Sequence, residues 1–197
     1  MRPTLELTAS PSLRLVPASP HQYPQILAAV TESHQSEVRR ALPWLEWDAP
    51  LELQIMEYLR DVERMGRGGL SHHWAVIEED ELVGIIALDH TPHLVIGHWN
   101  LGYWIRSDSH GRRLASNSID VVLGWIGRSS GSPTGVEIRV DPNNIAGIAT
   151  AKSVAQRWNG LRFEEGDIDV DVDGEFVTHL CWLIPRLPLE DKKCHTG

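Results

Sequence analysis

His110, Gly111, Arg112 and Arg113 fall together in the stretch "DSHGRRLASNS", residues 108 to 118, between an apolar aromatic run, "LGYWI", and a long apolar-periodic segment, "IDVVLGWIG". That position reads as a turn from strand to helix. A turn that opens a helix aims free backbone N–H groups and the positive helix end at whatever it faces. Two adjacent guanidinium groups add charge-assisted donors. The chemistry on offer is the holding of phosphate, and the alternative is a basic turn that only starts a helix.

Two further groups of residues have the types that acid–base chemistry needs. Glu137 sits inside the apolar run "GVEIRV", where a carboxylate requires either a partner or a site. It is the first candidate for a general base acting directly or through water, against an ion-paired or edge-exposed glutamate. Asp167, Asp169, Asp171 and Asp173 alternate in "DIDVDVDG", so an extended segment there carries four carboxylates on one face and suits a hairpin ending in "DG". That face is either solvated or an acidic wall for a cationic acceptor, with Asp171 as a second candidate base.

Metal chemistry finds little support. The stretch from Asp169 begins like a calcium loop, but the twelfth position, which needs a glutamate, holds Leu180. His90 and His93 have a ligand-like spacing in "DHTPH", yet Pro92 and the hairpin context make this a turn. No metal site is expected. Of the eight tryptophans, Trp74, Trp99, Trp104, Trp125 and Trp182 lie in expected strands or helices and belong to the core. Trp44 and Trp47 stand between early helices, where they either contact an acceptor or pack.

These residues need elements to hold them. A short strand at 13–17 precedes one or two helices between 19 and 42, entered through Pro20. Leu51, Ile55, Tyr58, Leu59 and Val62 form one stripe of a helix over 51–65, which "GRGG" stops. From 72 to 106 the period changes to that of three antiparallel strands rich in β-branched and aromatic residues. A helix at about 112–127, a strand at 135–140, a helix at about 144–157, and strands "LRFEE" and "FVTHLCWLI" complete the order. The fold class is α/β, a mixed sheet flanked by helices, with an antiparallel first half and two βα units in the second. Residues 1–11 read as a flexible N-terminus, 12–186 as a single domain and 187–197 as a flexible tail.

With 197 residues and 42% apolar content, one domain with a full core is expected. A net charge of -9, from 27 acidic against 18 basic residues, argues against binding nucleic acid through many phosphates. Cys181 and Cys194 make neither a metal quartet nor a disulfide framework, which suits a reducing cytoplasm. The first residues lack the apolar core of a secretory signal, and no run approaches the roughly 18 to 20 apolar residues of a membrane span.

The element order, "LGYWIRSDSHGRRLAS" and "VEIRVDPNNIAGIATAKSV" together resemble the GNAT superfamily of acyl-CoA-dependent N-acyltransferases, within it the RimJ/RimL type that acetylates protein N-termini. The likeness covers roughly residues 12 to 185 and includes "ALPWLEW". It implies a GNAT-type sheet and transfer of an acetyl group from acetyl-CoA to a primary amine by direct attack in a ternary complex. A protein or peptide N-terminal α-amine leads as acceptor. A small cationic amine, such as an antibiotic or amino-acid derivative, and a non-catalytic acyl-CoA-binding module are the alternatives.

The same likeness assigns site residues. The family's pyrophosphate loop, R/Q-x-x-G-x-G/A, falls on His110, Gly111, Arg112, Arg113, Leu114 and Ala115, with Arg113 where glycine is usual. An ordinary helical conformation at Arg113 is expected to keep its N–H available. Asn144 matches the asparagine beside the pantetheine arm, Gly147 stands where serine or alanine is common, and Ala151 stands where a proton-donating tyrosine often is. The splayed fourth strand of the family maps its free backbone groups to Trp104, Ile105 and Arg106. Trp44 and Trp47 line the acceptor cleft, acetyl-CoA is the co-substrate, and a monomer or homodimer is implied.

Overall fold

β-branched and aromatic runs pair as strands here, and the runs of 3.6-residue period lie across them as helices. The computed structural model describes residues 3–90, 97–129, 134–172 and 174–187. In chain order the elements are β1 Leu7–Ser10, β2 Leu13–Pro17, α1 Tyr23–Glu32, α2 Gln35–Ala41, α3 Leu51–Gly68, β3 His72–Glu78, β4 Glu81–Asp89 and β5 His98–Ile105. They continue with α4 Leu114–Ser129, β6 Gly135–Val140, α5 Ile145–Arg157, β7 Leu161–Arg162, β8 Ile168–Val172 and β9 Glu175–Ile184.

The strands lie in the order β1-β2-β3-β4-β5-β6-β9-β7, all antiparallel except β5 and β6, which run parallel with α4 between them. β9 is long enough to serve twice: its first half forms a hairpin with β8 and its second half pairs with β6. Alternation along β3 sends Trp74 and Val76 to one face and Ala75 and Ile77 to the other. The first face is closed by Ile119, Leu123 and Ile126 of α4 and by Val154 of α5. The second is closed by Ile26 and Val30 of α1 and by Ile55, Leu59 and Val62 of α3, the stripe expected from spacing. All five tryptophans expected in the core are buried.

Three expectations change. Residues 3–10 are not a flexible lead: β1 pairs with β2, Thr4 N–H donates to Gly66 O at 3.0 Å, and Trp74 Nε1 donates to Leu5 O at 2.8 Å. The segment is too short to announce itself by alternation, and its order comes from covering β2 and α3. Gly66 admits it, since a Cβ there would meet Thr4 Oγ1 at 2.6 Å. The strand "LRFEE" ends after Arg162, whose guanidinium turns to Asp167 and to Cys181 O, so that Glu164–Gly166 curls into a 3-10 turn. Leu187, read as the start of a loose tail, is buried, with its N–H on Thr134 O at 2.9 Å.

One irregularity in the sheet matters more. β5 and β6 pair only through His98–Gly135, Trp99–Val136 and Asn100–Glu137. Beyond Asn100, β5 stays with β4 as far as Ile105 while β6 stays with β9 as far as Val140, and the two strands part. No described helix is long and apolar enough to cross a membrane.

Candidate active site

The parting of β5 from β6 leaves main-chain groups facing an opening, and register decides which. Arg106 N–H donates to Val83 O at 2.9 Å. Hydrogen-bonded and non-bonded pairs alternate in an antiparallel ladder, so the groups of Trp104 also turn to β4, and those of Tyr103 and Ile105 face the opening. Of the three residues assigned from the family likeness, Ile105 turns its backbone groups to the opening, whereas Trp104 and Arg106 spend theirs on β4. Tyr103 takes their place. His110 Nε2 lies 2.8 Å from Ile105 O, tying the turn after β5 to the strand it leaves.

A cleft of about 850 Å³ begins at this opening and runs over the N-termini of α4 and α5, with α2 on its outer side. Its wall includes His110, Gly111, Arg113, Leu114, Ala115 and Asn144. Gly111 has φ 77° and Arg113 has φ 61°. Arg113 is thus in the left-handed region and not in the helical conformation expected of it, which explains physically why glycine suits that position. α4 starts one residue later, so the N–H groups of its first turn remain without helical partners. Arg112 does not line the cleft: its guanidinium pairs with Glu78 Oε2 at 2.8 Å.

At the start of α5, Asn144 Oδ1 accepts from Gly147 N–H at 2.8 Å, so Asn144 is itself the cap, while Asp141 Oδ1 accepts from Asn143 N–H at 2.7 Å. A Cβ on Gly147 would meet Asn144 and Val140 side-chain atoms at 2.7 to 2.8 Å. Glycine replaces serine or alanine there because the space is already taken. Ala151 is fully buried in the core. The phenol near this turn arrives from the strand instead: Tyr103 OH donates to Gly147 O at 2.7 Å, and burial pushes its pKa up.

On the second face of the sheet a smaller cleft, about 390 Å³, reaches the same opening, and Arg40, Ala41, Tyr103, Trp104 and Asn144 line both. Trp44 forms its rim, stacked on Tyr58 at 4.4 Å, and Tyr58 OH lies 2.9 Å from His73 Nδ1. Burial takes His73 down to about 4 and raises Asp89, whose carboxylate accepts from Asn100 at 3.2 Å. Trp47 does not reach this cleft; it packs on the second core cluster beneath the Arg39 guanidinium.

Neither candidate base from the sequence lines either cleft. Glu137 is fully buried, bonded to Arg139 and, at 3.1 Å, to His98 Nδ1, so the partner it required is an internal one. Asp171 is exposed and accepts from Gly174 N–H at 2.7 Å, and Asp169 accepts from the Thr178 hydroxyl at 2.6 Å. Period-two alternation turns these carboxylates to solvent and gives the cleft Ile168 and Val170 instead. Asp173 and His93 lie outside the described residues. His90 rests on Trp99 with ring centres 3.8 Å apart, and among the described residues no group of three or more His, Cys, Asp or Glu could hold a metal.

What sequence reasoning missed are Tyr103, Asp89, Asp141, His73 and His179, all on the second cleft. His179 carried a signal: in the alternation of β9 it falls between Val177 and Cys181 on the inward face, where both of those neighbours are apolar.

The chain matches the family described as "Acetyltransferase (GNAT) domain" over residues 12–154. No curated protein matches it significantly in sequence. Among solved structures, RimL, a ribosomal L7/L12 α-N-protein acetyltransferase in complex with coenzyme A, aligns with a TM-score of 0.76 and 14% identity over 91% of this chain and 97% of that one. The ribosomal-protein-S5-alanine acetyltransferase of Vibrio fischeri aligns with a TM-score of 0.74 and 10% identity over 95% and 98%. The microcin C7 self-immunity acetyltransferase MccE, in complex with acetyl-CoA and AMP, aligns with a TM-score of 0.73 and 12% identity over 89% and 93%. At these identities the likeness is one of fold.

Proposed function

The chain belongs to the GNAT acetyltransferase family, and from that premise we propose that it transfers an acetyl group from acetyl-CoA to the α-amine of a protein or peptide N-terminus. The observation that carries this reading is the meeting of two clefts at the parted end of β5. One cleft takes the thioester and the other the amine, so both substrates are bound at once and attack is direct.

In this reading the diphosphate of acetyl-CoA lies at the first turn of α4, against its free N–H groups and Arg113. The pantetheine arm follows the opening past Asn144 and Gly147. The thioester carbonyl accepts from the N–H of Tyr103 or Ile105, where a fixed donor stabilises the oxyanion that forms on attack. The amine lone pair makes the new C–N bond, the C–S bond breaks with its electrons on sulfur, and a thiolate with a pKa of about 8.5 leaves without a dedicated acid.

An α-amine with a pKa of about 7.7 to 8 is substantially neutral near pH 7.5, whereas a lysine near 10.4 is not. A cleft of about 390 Å³ suits a chain end. The names of the RimL and S5 relatives add weight to a protein N-terminus as acceptor. Asp89 and Asp141 on the second cleft favour a second reading, a small cationic amine. Action in the cytoplasm as a monomer or homodimer completes the proposal.

Calorimetric titration with acetyl-CoA, desulfo-CoA and pantetheine tests the first cleft, and diphosphate-dependent micromolar binding is expected. Release of free thiol from acetyl-CoA in the presence of heptapeptides, set against small cationic amines, tests the second. Turnover with the small amines alone would replace the leading acceptor, and binding without turnover on either class would leave an acyl-CoA-binding module.

A further inference from the structure

Direct attack leaves a proton to be removed from the amine nitrogen, and neither Glu137 nor Asp171 reaches the second cleft. Four other groups of suitable chemistry do. His73 Nδ1 is held by Tyr58 OH, Asp89 by the Asn100 amide, and Asp141 by Asn143 N–H. His179 differs: its side chain is buried at 8% exposure, it lines the cleft, and its Nε2 has no hydrogen-bond partner among the described residues. A buried ring nitrogen left unsatisfied calls for a ligand or a reaction to explain it.

Its position fits a reaction at the opening. β9 runs beside β6, and one residue beyond the Val140–Leu180 pair on each strand stand Asp141 and His179. Asp141 begins the turn into α5 that also carries Asn144, and Tyr103 lines the same cleft. We propose that His179 is the general base of the transfer, its Nε2 taking the proton of the attacking amine as the C–N bond forms, while the Asp141 carboxylate steadies the resulting imidazolium. The inference rests on the acetyl-transfer reading above.

The charged and titratable groups around the ring agree with this role. Burial lowers the His179 pKa, the charge of Asp141 raises it and that of Arg139 lowers it, with burial dominant. β8 contributes apolar Ile168 opposite the ring, and Arg40, His73 and Asp89 line the rest of the cleft. The imidazole is therefore neutral near pH 7, and activity is lost as pH falls through a value below the ordinary histidine range.

The test compares the full chain with its H179Q and H179A variants, using acetyl-CoA and a heptapeptide with an N-terminal alanine. Expected are a fall in kcat on the order of 100-fold at pH 7.5, loss of the low-pH limb of the kcat profile, and partial rescue of H179A by added imidazole. Acetyl-CoA affinity should hold, because His179 does not line the first cleft. An H179Q variant with unchanged kcat and an unchanged low-pH limb overturns the proposal alone. Loss of acetyl-CoA binding in both variants assigns the ring to packing and also overturns it. A wild-type protein that binds acetyl-CoA but acetylates no amine overturns the reading beneath it.

Discussion

Arg112 and Glu78 close an ion pair of 2.8 Å between the turn before α4 and the end of β3. Glu78 is largely buried, and the pair ties Arg112 away from the cleft that its neighbour Arg113 lines. The two arginines of one dipeptide therefore differ in role. Arg112→Ala is expected to leave acetyl-CoA affinity within about twofold, the scale of losing a half-exposed pair. Arg113→Glu is expected to weaken binding by at least tenfold through charge at the phosphates. Calorimetry on the two single variants separates them, and equal losses would remove the distinction.

The left-handed conformation of Arg113, at φ 61°, carries a cost that glycine would not. Arg113→Gly is expected to stabilise the fold by about 1 kcal/mol, a rise in Tm of roughly 2 to 4 °C. The same variant loses a guanidinium, so its acetyl-CoA affinity should fall. Calorimetric melting and titration on one sample read both signs.

Gly147 leaves no room for the residues common at its position. Gly147→Ser is expected to cost about 1 to 3 kcal/mol by overpacking and to loosen the Asn144 cap, whose amide a Cβ would crowd at 2.7 Å. Denaturant unfolding measures the first effect. Weakened acetyl-CoA binding would report the second, since Asn144 lines the cleft.

Trp44 and Trp47 should separate cleanly. Trp44→Ala removes an exposed ring from the rim of the second cleft, so acceptor KM is expected to rise several-fold with little change in Tm. Trp47→Ala removes packing from the second core cluster and should cost about 3 kcal/mol. Its kinetics at low temperature should stay near those of the wild type. Paired melting curves and acceptor titrations decide the matter.

Stability should depend on pH through His72, which is buried among Trp74, Trp99 and Trp125 with its Nδ1 2.8 Å from Thr4 Oγ1. Burial takes its pKa down to about 4, against about 6.5 in the unfolded chain. Between these values the unfolded state binds more protons, so stability rises with pH across the window and is lost as pH falls through it. His73, also near 4, adds a second group of the same sign. Tm measured from pH 7 to 4 should drop for the wild type, and His72→Phe should flatten part of that slope.

Local physics made much of the protein legible before folding. The stripe of α3, the strands from His72 to Ile105, the turn at Gly111 and the helix that follows it each depend on residues a few positions apart, so periodicity and turn chemistry identify them. Charge balance and the tryptophan positions likewise needed only composition and local pattern. By contrast, the residues leading into β1 are held by hydrogen bonds of Thr4 and Leu5 to Gly66 and Trp74, some 60 to 70 positions away, and no local signal records that benefit.

The candidate site divides the same way. That the stretch after β5 turns into a helix followed from its residues, but Arg112 was lost to Glu78, a partner distant in sequence. Glu137 found its partner inside the sheet because β6 sets Arg139 two residues along the same face. Asp171 went to solvent because β8 paired with β9 in the register that turns Ile168 and Val170 inward. Only strand register brought Tyr103, Asp141 and His179 to one opening from three separate strands and their ends. A one-residue slip in any of those ladders would reverse which side chains face the opening, and that choice belongs to long-range pairing, which no short stretch of chain encodes.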